Sequence, residues 1–373
     1  VTTPLSMVEF RARFDEEPGY LDFARRAPVG ATPLAEEYAL MSMLARARYG
    51  SLSILEEQDL RVREAVSALT GFGADQIVFQ PNTSQGLMHV MFGLTGRVAV
   101  SPAEFPSSPF AITRAEKALG VASPLWLETD HGRVTPGNLR DQLTDDTVAV
   151  AISIVDFRTG YFADLEGIRE VIGDRLLIVD AIQGFTVVDA PWALADVVVS
   201  GGQKWARSGW GTGFLALSDR AAERLVPVFS GFSATDAEGM PLDEVPPPTR
   251  GAGAFEVTNP DPIAQARFAS ALEEIAEVGV PAINAALAQN TARVIALADE
   301  FALEIVSPRD DPERAGIVVI RPPAERMTAF TAALHNHGVS VTTRQGTVRL
   351  SPHVTTDDET FDMLRASLVA YSV

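Results

Sequence analysis

The sequence predicts an α/β fold: a large unit on a mostly parallel sheet flanked by helices, followed by a smaller α+β unit. Three observations carry that expectation. Between Ile77 and Ser200, short β-branched runs alternate with stretches of helical periodicity, the pattern of strands joined by crossover helices. The runs end in polar turns, at Asn82-Thr83-Ser84, Glu104-Phe105, Asp180 and Gln203-Lys204. Beyond about Val228 the composition shifts to Gly, Pro and acid, including Pro246-Pro247-Pro248, before a different order of elements begins. The expected division is an N-terminal segment over 1–20, a large unit over 21–240 and a small unit over 241–373.

In order, Glu17 to Asp22 reads as a short opening strand, and Ala27 to Tyr49 as loop, punctuated by Pro and Gly up to Pro33. Leu55, Val62, Ala65, Val66 and Leu69 fall at helical spacing and stop at Gly71, which predicts a helix over about 55–70. Ile77 to Phe79 is a short strand, and Pro81 to Gly86 opens a helix through Leu94. Arg97 to Val100 is the next strand, with Pro106 placed to start the helix after it. The alternation continues through 122–127, 135–143, 148–154, 165–172, 176–179 and 197–200. Gly209 to Gly213 (GWGTG) is a tight turn, because it lacks the strand, GxGxxG and helix context of a dinucleotide site. Gly231 to Gly253 is a linking loop, followed by helices over 262–278 and 281–301. Strands at 316–320, 339–342 and 347–350 and helices at 327–337 and 357–370 complete the small unit.

Composition narrows the function classes. A net charge of −19 disfavours nucleic acid or an anionic membrane as partner. No apolar run reaches the length of a membrane span, and Val1 to Tyr20 lacks a signal-peptide pattern, so a cytoplasmic location is expected. The chain has no cysteine, which excludes disulfides, thiolate metal sites and a persulfide-carrying cysteine. The five histidines show no ligand spacing, and no metal is expected.

Lys204 is the residue hardest to explain by packing. Of 30 basic residues 28 are Arg, and the other lysine, Lys117, falls on the polar side of a helix. A partly desolvated amine can form a Schiff base with a carbonyl, which a guanidinium cannot; a lysine capping a strand and reaching solvent is the plainer reading. Thr83 and Ser84 at a helix start suit an anion, through free N–H groups and hydroxyls, and equally suit an N-cap. Asp180 ends the buried run LLIVD, where a carboxylate either caps a turn or holds a cation such as a protonated pyridine nitrogen. Arg349, in TVRLSP, either faces solvent or clamps a carboxylate.

Taken together, Thr83-Ser84-Gln85, Phe105 in EFPSS, Asp180-Ala181-Ile182-Gln183, Ser200-Gly201-Gly202-Gln203-Lys204, Phe255-Glu256-Val257-Thr258 and Arg349-Leu350-Ser351 resemble the class V branch of fold-type I pyridoxal-phosphate enzymes. The resemblance runs from about Gly19 to the end. It implies pyridoxal 5'-phosphate as cofactor, with Lys204 as the Schiff-base lysine and Asp180 as partner of the pyridinium. It implies Thr83 and Ser84 at the phosphate, Gln183 near the ring hydroxyl, Phe105 stacked on the ring, and Ser200 and Gln203 among the cofactor-binding residues. Thr258 would reach the phosphate of a neighbouring subunit, making a homodimer with shared sites, and Arg349 would hold the α-carboxylate of an amino-acid substrate.

Departures from the family pattern bear on the reaction. Gln203 stands where many members carry His and kynureninases carry Tyr, and Phe105 where cysteine desulfurases carry His. EFPSS and Arg158-Thr159-Gly160 are similar to kynureninase. An aminotransferase is the leading expectation. A Cβ-cleaving lyase, of kynureninase or selenocysteine/cysteine-S lyase type, is the alternative, ahead of a pyridoxal-phosphate-binding protein without turnover.

Overall fold

The computed structural model describes residues 5–237 and 239–372. Val1 to Pro4 of the expected N-terminal segment, Glu238 of the expected linking loop and Val373 lie outside the described residues. Seven strands form the large sheet: β1 (Ile77–Phe79), β2 (Gly96–Val100), β3 (Ala122–Trp126), β4 (Thr147–Ser153), β5 (Leu176–Asp180), β6 (Val197–Gly201) and β7 (Gly213–Leu217). Their order is β1-β7-β6-β5-β4-β2-β3. β2 to β6 pair in parallel, while β7 runs antiparallel to both β6 and β1.

Alternation along each strand assigns the two faces of this sheet. Leu177, Val179, Val198, Phe214 and Ala216 pack into one core, against the helix Gln58–Thr70 (Val62, Val66) and the helix Pro262–Val278 (Phe268, Leu272). Leu176, Ile178, Val197, Val199 and Leu215 pack into a second core, against the helices Thr83–Gly93 and Ser107–Leu119. Both faces are covered, so β5, β6 and β7 are buried throughout and read as unbroken apolar runs.

The small sheet contains β8 (Glu304–Ile305), β9 (Val318–Arg321), β10 (Thr342–Arg344) and β11 (Thr347–Leu350), in the antiparallel order β10-β11-β9-β8. Val318, Ile320, Val348 and Leu350 face a third core with Phe330, Leu334, Phe361 and Leu364. The helix Val280–Glu300 joins the units, with Ile283 and Leu287 in the first core and Val294 and Ala298 in the third. The helix Pro262–Val278 follows the expected 240/241 boundary in sequence yet packs on the large sheet.

Two expectations are corrected. The stretch read as loop from Ala27 to Tyr49 contains the helix Ala31–Ala45. Its Leu34, Tyr38, Met41 and Leu44 are exposed while Leu40 is buried, so the apolar spacing does not mark an inward face and gives a weak helical signal. The opening strand over Glu17 to Asp22 is reduced to two single bridges, Tyr20 with Ser340 and Asp22 with Ser351. Backbone pairing with the small unit, rather than a side-chain pattern, fixes this segment. No helix among the described residues is long and apolar enough to cross a membrane.

Candidate active site

The carboxyl ends of the parallel strands converge on one cavity of about 300 Å³, where an open α/β sheet places ligands. Thr83, Ser84, Phe105, Asp180, Gln183, Gln203, Lys204 and Arg349 all line it. Two other expected residues do not. Ser200 is fully buried, its hydroxyl donating to the Gly201 carbonyl at 3.2 Å. Thr258 sits on a separate loop, its Oγ1 3.1 Å from the Ser233 hydroxyl.

β6 delivers Lys204 through a turn that only glycine permits. A Cβ on Gly202 would fall 2.0 Å from Ser208 Oγ and 2.5 Å from Thr212 Oγ1, so the chain folds back on itself there. The turn is then locked by Arg207, fully buried with φ of 55°, which donates to the Pro28 carbonyl at 2.8 Å and to Thr355 Oγ1 at 3.1 Å. It pairs with both oxygens of Glu16 and lies 3.7 Å over the Phe14 ring. A buried ion pair with this many partners holds its geometry, and here it ties the lysine loop to the N-terminal segment and the small unit.

Lys204 is buried, its Nζ 5.5 Å from the centre of the Phe105 ring. Burial pushes its ammonium down to about 8; Asp180 opposes the shift, and the Arg349 and Arg344 guanidiniums reinforce it. Asp180, also buried, is pushed up to about 6 by desolvation, against the Ile182 N–H that it accepts at 3.1 Å and the charge of Lys204. Such a carboxylate lacks a full partner within the chain, and a cation placed beside it would supply one.

The opposite end of the cavity suits an anion. Asn82 caps the helix Thr83–Gly93 by accepting the Gln85 N–H at 2.9 Å, leaving the first N–H groups of an 11-residue helix pointing out of its end. Thr83 Oγ1 is buried without a partner, and the Ser84 and Ser107 hydroxyls meet at 2.6 Å beside it. A Cβ on Gly201 would lie 2.4 Å from Gln203 Oε1 and 3.2 Å from Thr83 Oγ1, so the bare backbone there leaves room for both side chains at this wall. An orphaned hydroxyl, free helix N–H groups, a buried amine and an under-partnered carboxylate are the donor set that pyridoxal 5'-phosphate requires.

Gln183 uses both ends of its amide: Nε2 donates to the Ala24 carbonyl at 2.8 Å, and Oε1 accepts from Trp205 Nε1 at 3.0 Å, leaving one N–H and one acceptor site at the cavity it lines. It braces the two segments on either side of the lysine. Arg349 is buried, donating to the Phe157 carbonyl at 3.2 Å and standing 3.6 Å from Asp22 Oδ1, with its Nε unpartnered. Burial lowers its pKa and Asp22 opposes that.

Sequence reasoning missed Phe157, Arg25 and Arg344, which line the cavity, and the burial of Glu104, whose charge lies near Asp180. Phe157 meets Phe105 edge-on, with centroids 5.2 Å apart and planes at 87°. It precedes Arg158-Thr159-Gly160, the segment similar in sequence to kynureninase. Arg344 belongs to a hairpin turned at Gln345 and Gly346, with φ of 47° and 77°. That X-Gly pair is a readable two-residue turn, and it sets β10 at 342–344 rather than the expected 339–342. Arg25 has no local signal among 28 arginines. Glu104 is buried against Ser153, whose N–H it accepts at 3.1 Å, and desolvation pushes its carboxyl up to about 7.

Comparison with known proteins agrees with this architecture. Residues 37–373 match the family model of the class-V aminotransferases. A kynureninase of Deinococcus radiodurans is 27% identical over 278 residues, covering 70% of this chain and 66% of that protein, just under two thirds of its length. The uncharacterized aminotransferase YcbU of Bacillus subtilis is 24% identical over 301 residues, 78% of each chain. Among solved structures, C-DES with glycine covalently linked to its PLP cofactor superposes with a TM-score of 0.86 at 17% identity, covering 96% of this chain and 98% of that one. The chain therefore belongs to the class-V aminotransferase family.

Proposed function

We propose that the protein is a pyridoxal 5'-phosphate-dependent enzyme acting on an amino acid, with transamination as its reaction. The observation that carries this reading is the placement of Lys204, Asp180 and Arg349 around one cavity whose far end is a helix N-terminus. Lys204 would hold the cofactor's carbonyl carbon, Asp180 its ring nitrogen, and Thr83, Ser84 and the helix N-terminus its phosphate. Once bound, the cofactor supplies an electron sink that acidifies the Cα–H bond of an attached amino acid. Phe105 walls the ring side, and Arg349 fixes the substrate through its α-carboxylate. Lys204, with its pKa lowered toward neutrality, is suited to take up and return the Cα proton.

A second reading, cleavage at Cβ, is supported by the identity to a kynureninase and by Arg158-Thr159-Gly160, similar to kynureninase in sequence and following Phe157 of the cavity wall. The cysteine-free sequence removes a persulfide relay on this chain from that reading. Product analysis separates the two. Transamination returns a keto acid with the carbon skeleton of the amino acid and passes its nitrogen to an added keto acid; a lyase returns a shortened amino acid or ammonia. Recovery of the shortened product alone replaces the first reading with the second.

Thr258, which does not line its own chain's cavity, is proposed to serve the phosphate end of a neighbouring subunit's site. Light scattering on the holoprotein should then give twice the 40.0 kDa chain mass or a multiple of it; an active monomer removes Thr258 from the site.

A further inference from the structure

A second cavity of about 430 Å³ adjoins the first and shares Phe157, Arg344 and Arg349 with it. Strand register explains its character. Arg349 pairs with Val319 and Thr342, and Thr347 with Arg344. Since side chains alternate, Arg344, Arg349 and Arg321 stand on one face of the small sheet, opposite the face buried in its core. That face looks across the cavity to Phe157 and Arg158 of the large unit. Four arginines and His131 line the space, and no described Asp or Glu does, in a chain with 49 acidic residues against 30 basic ones.

The four guanidiniums are not equivalent. Arg321 is neutralised by Glu304 at 2.6 Å, and Arg349 is held by Asp22 at 3.6 Å. Arg344 and Arg158 make no ion pair among the described residues; each lies against the Phe157 ring, at 5.1 and 5.4 Å from its centre. Both line the same cavity as Arg349, so an anion entering it meets guanidiniums that no described carboxylate pairs and that can donate hydrogen bonds to it. Arg349 and Arg344 line both adjoining cavities and Arg158 lines the second, so one ligand can occupy the shared space.

Resting on the proposed action on amino acids, we propose that the protein selects a dicarboxylic amino acid, its α-carboxylate on Arg349 and its side-chain carboxylate on Arg344 and Arg158. The net negative charge of the chain would otherwise disfavour a dianion, so the local inversion of charge serves as the selecting element.

The test uses holoenzyme reconstituted with pyridoxal 5'-phosphate and measures dissociation constants of unreactive acids by calorimetry. Glutarate should bind at least tenfold tighter than butyrate, its monocarboxylate counterpart. In Arg344→Gln, and separately in Arg158→Gln, that ratio should fall at least fivefold with the cofactor absorbance retained. Equal binding of glutarate and butyrate, or a ratio untouched by both substitutions, overturns the proposal alone. Tighter binding of 3-phosphonopropionate than of glutarate overturns it in favour of a phosphorylated side chain. Protein that takes up no cofactor at Lys204 overturns this proposal and the proposed function together.

Discussion

The two walls of the cleft hold charge in opposite ways. The large-sheet wall buries an amine and two carboxyls, Lys204, Asp180 and Glu104, and desolvation displaces all three from their ordinary pKa values. The small-sheet wall carries guanidiniums, and its Arg344 is exposed and unpaired among the described residues. Guanidinium keeps its charge in either setting, whereas amines and carboxyls respond to burial. The difference divides the labour: the first wall sets protonation and hence chemistry, the second sets which anion is held and where.

The largest expected effect breaks the first wall at its centre. Lys204→Arg preserves positive charge and much of the volume but removes the nucleophilic amine. Turnover of any amino-acid substrate should fall at least roughly a thousandfold, about 4 kcal/mol in barrier. Borohydride reduction of wild-type holoenzyme followed by peptide mapping should place the pyridoxyl group on Lys204. Its recovery on the exposed Lys117 would move the chemistry off this wall altogether.

Arg349→Lys is the corresponding change on the second wall and should be milder. Charge is retained while the two-pronged geometry is lost, so kcat/KM should drop by roughly two orders of magnitude, within the 2–5 kcal/mol expected for a desolvated charged contact. Cofactor absorbance should be retained, because lysine keeps the positive charge that acts on Lys204 and Arg349 is not among the residues proposed to hold the cofactor. A variant with wild-type kcat/KM, measured against the same amino acid, would mean that the α-carboxylate is held elsewhere.

The same contrast governs how much was legible from sequence. Lys204 and Asp180 stood out because each breaks a local rule: a lysine in a chain that otherwise uses arginine, and an acid closing the apolar run LLIVD. The parallel sheet was legible because strands covered on both faces read as continuous β-branched runs. The helix Ala31–Ala45 was not, since its apolar residues largely face outward and contradict the amphipathic pattern. Arg344 broke no rule, being one arginine among 28, and only the Gln345-Gly346 turn places it beside Arg349 on one sheet face. Glu104 was read as part of a turn, because burial of a turn carboxylate depends on Ser153 at the end of a strand 49 positions away.

Glu104 offers the smallest and most discriminating test of the first wall. Its carboxyl sits at about 7 in the folded chain, against 4.5 for an ordinary glutamate; burial is the main cause, and the charges of Asp156 and Asp180 add to it, while hydrogen bonds from Ser153 oppose it. Between those two values the folded state binds the extra proton. The Glu104 contribution to stability is therefore lost as pH rises from about 4.5 to about 7, while buried His89, pushed down to about 4 by desolvation, acts in the opposite direction over an overlapping range, so the variant is compared with wild type. Glu104→Gln keeps an oxygen for the Ser153 N–H and an amide N–H for the Ser153 hydroxyl, and it has nothing to titrate. Urea unfolding of the apoprotein should show the variant gaining stability relative to wild type as pH rises from about 4.5 to about 7, changing the pH slope, with a gain at pH 8 of up to roughly 3 kcal/mol by the usual conversion of pKa displacement into free energy. At pH 4, where both chains carry an uncharged side chain at this position, the difference should nearly vanish. An unchanged slope would show that the carboxylate is already solvated in the folded protein, and the first wall would then owe its tuning to Asp180 and Lys204 alone.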